Sequence, residues 1–136
     1  MIYLDTCVLI YSVQREPYFG PLVKRAVLNH PDVQFAISPL VEMECLVGPL
    51  KDGDATLEAA FRRAFVVLTS LDVARDDFEA AARLRAHHSL KTADALHLAI
   101  AKRHGCEALW TNDDRLSKAA PGYAVDVRSL SNIKHS

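Results

Sequence analysis

No stretch of this chain approaches the ~20 consecutive apolar residues that a membrane-spanning helix needs, so no membrane role is expected. Charge of one sign is not in excess either: sixteen Lys and Arg stand against seventeen Asp and Glu, a formal net charge of −1. That balance excludes the overall basic footprint of a protein that coats nucleic acid and leaves any such contact to a local patch. An acidic pocket with a basic rim would sum to the same total, so it stays open. Cysteine is sparse. Cys7, Cys45 and Cys106 are odd in number and far apart, without zinc-finger or C-x-x-C spacing. They predict reduced thiols packing as small apolar groups, which suits a cytoplasmic protein. No repeat, low-complexity segment or Ser/Gly/Pro-rich linker divides the 136 residues. One domain is expected, large enough to bury roughly two thirds of its unfolded surface. No basic segment precedes the first apolar run, and an acid interrupts that run, so no signal peptide is expected.

What is present alternates between strand and helix patterns. Ile2 to Leu4 reads as a buried strand, and Thr6 is placed to cap a helix running to about Gln14. "EPYFGP" reads as a turn before a helix from about Leu22 to Asn29, and "HPD" breaks the chain before a second strand, Val33 to Ile37. Ser38 and Pro39 mark a helix start, a capping hydroxyl followed by proline at the first helical position. That helix is expected to stop near Gly48-Pro49. Leu57, Ala60, Phe61, Ala64, Phe65 and Leu68 fall at offsets 0, 3, 4, 7, 8 and 11, an amphipathic stripe. It suits core burial and a partner surface equally. Asp72 opens a helical segment through about His87, and Thr92 caps a helix ending at Gly105. "EALWT" is a third strand, "DDRLSKAA" a short helical turn and "YAVDV" a fourth strand. The pattern predicts an α/β fold over residues 1–130, a central, mostly parallel sheet flanked by helices on both faces. The polar "SNIKHS" at 131–136 is expected to be a frayed tail.

The apolar opening "MIYLDTCVLIY" carries Asp5 at the joint between strand and helix. A carboxylate in an apolar setting costs several kcal/mol unless something pairs with it. In parallel sheets the reactive cleft lies beyond the carboxyl ends of the strands. Asp5 follows strand one there, and Asp113 or its neighbour Asp114 follows "ALWTN". Asp94 lies in the first turn of the helix opened by Thr92, where the macrodipole favours an anion. Glu44 lies in the second turn of the helix after strand two. Glu42 competes with it, but two residues is roughly 200° of rotation, so only one of them faces the cleft. Each acid has a bland role open to it: a cap at Asp5 in place of Thr6, a dipole residue at Asp94, a solvated charge at Glu44, a turn at Asp113. Four such coincidences are the poorer account. Two carboxylates ~4 Å apart repel by about 4 kcal/mol at an effective dielectric near 20. They must share protons or hold a cation. Oxygen-only donors select Mg²⁺ or Mn²⁺ over zinc.

The stretches "YLDTCVLIY", "ISPLVEMECLVGP", "KTADALHLAIAKRHG" and "LWTNDDRL", in this order, resemble the PIN domain, and more closely the VapC-like toxins of bacterial and archaeal toxin–antitoxin pairs. The resemblance runs to about Leu130. It implies a small α/β sandwich and a Mg²⁺- or Mn²⁺-dependent endoribonuclease, often acting on structured RNA such as tRNA. It also implies a small antitoxin whose basic or aromatic tail fills the acidic cleft, and a homodimer that assembles with the antitoxin as a heterotetramer or hetero-octamer. The catalytic set implied is Asp5, Glu44, Asp94 and Asp113, with Asp5 and Asp94 as metal ligands. Glu44 is preferred to Glu42 because Gly48 follows at the family spacing, and T-x-D selects Asp113 over Asp114. Thr6 and Asn112 would touch a carboxylate or a metal-bound water. Cys7 departs from the small Ser or Ala common at its position.

His97, three residues after Asp94, reads as a packed histidine or as a partner of the acids. His87 and His88 read as an exposed helix end. Arg15, Lys24, Arg25, Lys91, Arg115 and Lys118 are candidates for phosphate contacts or plain surface charge. Two other readings compete. An aspartyl-phosphate phosphatase would want an acid two residues after Asp5, where Cys7 stands. A non-catalytic PIN-like module would bind RNA or protein without needing four acids.

Overall fold

The computed structural model describes the backbone of residues 1–133. Five strands form one sheet: β1 (Ile2–Leu4), β2 (Phe35–Ile37), β3 (Thr69–Ser70), β4 (Ala108–Thr111) and β5 (Ala124–Asp126). Their order is β3-β2-β1-β4-β5, and every pairing is parallel. Both faces of β1 are covered, which is why all three of its residues are apolar. Between the strands run α1 (Thr6–Gln14), α2 (Phe19–Leu28), α3 (Pro39–Asp52), α4 (Ala55–Val67), α5 (Arg75–His87), α6 (Thr92–Arg103), α7 (Asp114–Ala119) and α8 (Val127–Ile133). The chain winds outward from β1 to β3, then crosses back to β4 and β5. The winding direction therefore reverses between β1 and β4, and right-handed crossovers send the helices before and after that return to opposite faces. The packing agrees: α1 meets α2, α3 and α4, whereas α5 packs on α6. The expected α/β architecture is present, with an all-parallel sheet.

Several boundaries differ from expectation for local reasons. A fifth strand, β3, was not expected; two residues are too few to show an alternation, and it exists through its pairing with β2. The second strand starts at Phe35 rather than Val33. Helix α2 begins at Phe19, inside the stretch read as a turn. The Glu16 carboxylate accepts from the backbone N–H groups of Tyr18 and Phe19, drawing the helix start upstream. Gly20 is needed there, since a Cβ would lie 3.1 Å from the Tyr11 carbonyl oxygen of α1. Helix α3 runs through Gly48-Pro49 to Asp52. Pro49 forgoes one backbone bond inside the helix, but it is buried, and the helix closes only at Gly53 in the left-handed region at φ 67°. Neither threonine caps. Asp5 occupies the N-cap of α1 and Lys91 that of α6, so Thr6 and Thr92 are the first helical residues. Ser38 is the N-cap of α3, yet its side chain makes no capping bond. Helix α8 crosses the expected boundary at 130, and residues 134–136 lie outside the described residues.

The centre of the molecule is α6, buried at every position from Ala95 to Ala101, as a helix enclosed on all sides must be. Its end is pinned to α5 through Arg103, whose Nε donates to the buried Asp77 at 2.7 Å. The stripe on α4 faces inward: Phe61 is buried, and Leu57, Ala64, Phe65 and Leu68 pack half-buried against the core. Leu98, fully buried in the middle of α6, tests this layout. Leu98→Ala should destabilise the protein by about 3 kcal/mol. Chemical unfolding followed by the fluorescence of Trp110, the single tryptophan and 1% exposed, reads the change. A loss below about 1 kcal/mol would contradict a packed α6.

Candidate active site

Asp5 leaves β1 at the point where the winding direction reverses. Its N–H donates to the Trp110 carbonyl at 3.0 Å, tying the turn to the end of β4. Its side chain is 5% exposed and fully engaged. Oδ1 accepts from the Thr6 N–H at 2.8 Å, while Oδ2 accepts from the Thr111 hydroxyl at 2.7 Å and from the Cys7 thiol at 3.5 Å. Asp5 thus both caps α1 and faces β4. Burial, then the Asp5 charge, push the Cys7 thiol well above its ordinary value. Cys7 is therefore a neutral donor here.

Glu44 projects from α3 toward the same place. Its Oε1 accepts from the Thr6 hydroxyl at 2.7 Å and from His97 Nε2 at 2.6 Å. Burial works to raise this carboxyl, but the His97 and Thr6 hydrogen bonds outweigh it and hold Glu44 below the ordinary carboxylate range. The same His97 Nε2 lies 3.9 Å from Asp5 Oδ1. On its other side His97 Nδ1 is 2.7 Å from the Tyr3 hydroxyl, which is 2.7 Å from the Ser38 hydroxyl. His97 is 1% exposed. It is packed and a partner of the acids at once.

Asp94 and Asp113 complete the cluster. Asp94 sits in the first turn of α6 and is half-buried. Its carboxyl is pushed up from 3.8 to about 6, first by burial and then by the charges of Asp5 and Asp113, with Glu44 adding to them. Asp94 therefore senses each of the other three expected acids. Asp113 is the N-cap of α7, with Oδ1 accepting from the Arg115 N–H at 2.8 Å, and its own N–H donates to the Thr111 hydroxyl at 3.0 Å. Asp114 is exposed and pairs instead with Arg128, Nη2 to Oδ1 at 3.5 Å.

Some expectations shift. Asn112 touches no site carboxylate; its Nδ2 donates to the Tyr11 hydroxyl at 2.9 Å. Thr111, overlooked as part of a strand, is the bridge between Asp5 and Asp113, and its place ahead of the acid in T-x-D was the available signal. Tyr3 and Ser38 were read as core and cap, and no local pattern marks them as supports of the site. His87 and His88 are exposed at the end of α5.

The donor set suits a hard divalent ion: carboxylate oxygens only, with one carboxyl raised by burial and then by the charges of the others. Among the described residues no three donors of the His, Cys, Asp and Glu types stand close enough together to enclose a metal. An ion here would take one or two of these carboxylates directly and complete its shell with water, as Mg²⁺ does.

Fold and site together define the class: a small all-parallel α/β domain whose acids meet at the switch point of the sheet. The model of the PIN domain matches residues 2–121. Ribonuclease VapC46 of Mycobacterium tuberculosis is 35% identical over 128 residues, covering 93% of this chain and 95% of that protein. The chain belongs to the PIN-domain family, and within it to the VapC-like ribonucleases. Among solved structures, a toxin–antitoxin complex from Klebsiella pneumoniae holds a chain 28% identical, with a TM-score of 0.73 over 92% of this chain and 100% of that one. VapBC2 from Rickettsia felis, bound to a DNA fragment from its promoter, shares the fold with a TM-score of 0.75 at 19% identity, over 93% of this chain and 98% of that one.

The raised Asp94 carboxyl sets a pH dependence. The unfolded chain releases this proton near 3.8 and the folded one near 6, so between these values the folded state binds more protons. Stability contributed by protonated Asp94 is lost as pH rises through about 6. Relative to Asp94→Asn, the metal-free protein should lose melting temperature as pH rises from about 3.8 through about 6. Parallel slopes in the two proteins would show that the acids do not crowd.

Proposed function

We propose that this chain is the toxin of a toxin–antitoxin pair and hydrolyses RNA phosphodiester bonds as a Mg²⁺- or Mn²⁺-dependent endoribonuclease. The observation that carries the reading is the mutual crowding of Asp5, Glu44, Asp94 and Asp113, from four separate elements, in a relative of Ribonuclease VapC46. Asp5 and Asp94 would hold the ion, with Asp113 sharing it or reaching it through water. Once bound, the ion supplies Lewis acidity toward the phosphate oxygens and the leaving group. Glu44, kept ionised by its two donors, orients the attacking water and takes its proton. Lys91 and Arg115, at the starts of α6 and α7, supply cations for the RNA backbone. The phosphatase alternative lacks its acid, because the Cys7 thiol stands two residues after Asp5 and is spent on Asp5 itself.

The partner we propose is a small antitoxin, as in the Klebsiella pneumoniae complex. An apolar groove of about 200 Å³ between α1, α2 and α4, lined by Leu9, Val13, Val23, Val27 and Val67 among others, supports such a contact. On α3, Met43, Val47 and Leu50 recur at offsets 0, 4 and 7 and are each more than half exposed, which supports a second copy of the chain as neighbour. Among the described residues no helix is long and apolar enough to cross a membrane. We place the protein in the cytoplasm.

Asp5→Asn tests the reading. Asparagine still accepts from the Thr6 N–H as an N-cap, so circular dichroism should be unchanged. Cleavage of cellular RNA, followed by mapping of new 5′ ends, should fall by about 100-fold or more, beyond the 10–100-fold seen for outer partners of a metal site. Chelation by EDTA should stop the wild type, and added Mg²⁺ or Mn²⁺ should restore it. Undiminished cleavage by Asp5→Asn, or by wild type in EDTA, would overturn the assignment.

A further inference from the structure

His97 is not one of the acids that define the site, yet it is tied to it through both ring nitrogens. Nε2 is 2.6 Å from Glu44 Oε1, and a carboxylate only accepts, so Nε2 carries a proton. The remaining directions follow from counting protons. If Tyr3 donates to Nδ1, the Ser38 hydroxyl donates to Tyr3, and every group is satisfied. Run the other way, Nδ1 donates to Tyr3 and Tyr3 to Ser38. The Ser38 proton then has no acceptor among the described residues, in a residue that is fully buried. The first arrangement is the consistent one. It fixes a neutral imidazole with its proton on Nε2.

Two further observations show that these hydroxyls serve the relay. Ser38 stands at the N-cap of α3, where serine ordinarily accepts from the helix, but its oxygen turns to Tyr3 instead. Tyr3 lies in the middle of the core, 0% exposed, where phenylalanine would fill nearly the same space; its hydroxyl serves Ser38 and His97. The relay also joins the elements that carry the acids. Tyr3 is two residues before Asp5, Ser38 opens the helix of Glu44, and His97 is three residues after Asp94. Its end point is one oxygen. His97 and Thr6 both donate to Oε1, and among the described residues nothing donates to Oε2, which leaves that oxygen for a water.

We propose that His97 is the positioning residue of Glu44: with its proton held on Nε2 by the carboxylate itself and its ring oriented by Tyr3 and Ser38, it holds Oε1 so that Oε2 meets the attacking water. This rests on the reading of Glu44 as the group that orients that water. His97 itself touches neither substrate nor ion. It acts through the carboxylate, and Tyr3 and Ser38 act through His97.

The experiment uses the full chain with Mg²⁺ and a 5′-labelled RNA fragment spanning a site mapped with the wild type. His97→Ala should lower kcat by about 10–100-fold with KM within about twofold. His97→Gln, whose amide N–H can still donate to Glu44, should recover part of that loss. Tyr3→Phe, which deletes only the hydroxyl and keeps the ring in the core, should lower kcat by a smaller factor. Imidazole ¹⁵N spectra of the wild type should show a protonated Nε2 and a bare Nδ1, and Tyr3→Phe should shift the Nδ1 resonance as its hydrogen bond is lost while Nε2 stays protonated. Glu44→Gln is the control. Full kcat in that variant would remove the reading on which this inference stands, and the inference with it. A Glu44→Gln variant without activity beside His97→Ala and Tyr3→Phe variants with full kcat would overturn the inference alone. So would a wild-type imidazole protonated at Nδ1 and bare at Nε2, or a loss of kcat that follows only the fraction of folded protein. The spectra and Tyr3→Phe decide the matter even if His97→Ala does not fold.

Discussion

Four carboxylates brought to one end of a small parallel sheet repel one another, and the arrangement of their neighbours answers that repulsion. Asp5 accepts from a backbone N–H, a hydroxyl and a thiol; Glu44 from a hydroxyl and an imidazole; Asp113 from a backbone N–H. Each donor favours the ionised form of the acid it serves. Asp94 has no such donor among the described residues, so the burden of the cluster falls on it, and its carboxyl is the one that rises to about 6. The shift at Asp94 reports its burial first and then the charges of the other three.

The sheet makes this meeting possible without long loops. With β1 central and the winding reversed between β1 and β4, the ends of those two strands open side by side. The bond from the Asp5 N–H to the Trp110 carbonyl fixes their spacing, and Thr111 then reaches both Asp5 and Asp113 from one hydroxyl. A buried α6 carries Asp94 at its start and His97 one turn on. Asp5 and Asp94 are thus held by the most buried elements of the molecule, where few alternative positions exist.

What the sequence made legible was whatever depends on near neighbours. The alternation of strand and helix patterns announced the α/β fold. Asp5 betrayed itself as an acid in an apolar run; rotation about α3 allowed only one of Glu42 and Glu44 to face the cleft, and the family spacing to Gly48 chose Glu44. Features that depend on distant partners stayed hidden. Strand β3 is two residues defined by its pairing with β2. Pro49 sits inside a helix because it is buried there, which no local rule for proline announces. The exchange of roles between Asp5 and Thr6 follows from Glu44, 38 positions away from Thr6, taking the threonine hydroxyl. Tyr3 and His97 lie 94 positions apart, and each reads locally as an ordinary core residue.

Helix starts offset part of the crowding. Asp5 caps α1, Asp94 lies in the first turn of α6, and Asp113 caps α7. A helix amino terminus presents about half a positive charge, fading within the first turn. Two well-formed helices, α1 and α6, therefore set about one unit of positive charge against four carboxylates, and the six-residue α7 adds less. Partial protonation of Asp94 near pH 6 removes a further share. Near neutral pH, where Asp94 is mostly ionised, about three units of negative charge remain. That remainder is enough to attract a divalent cation.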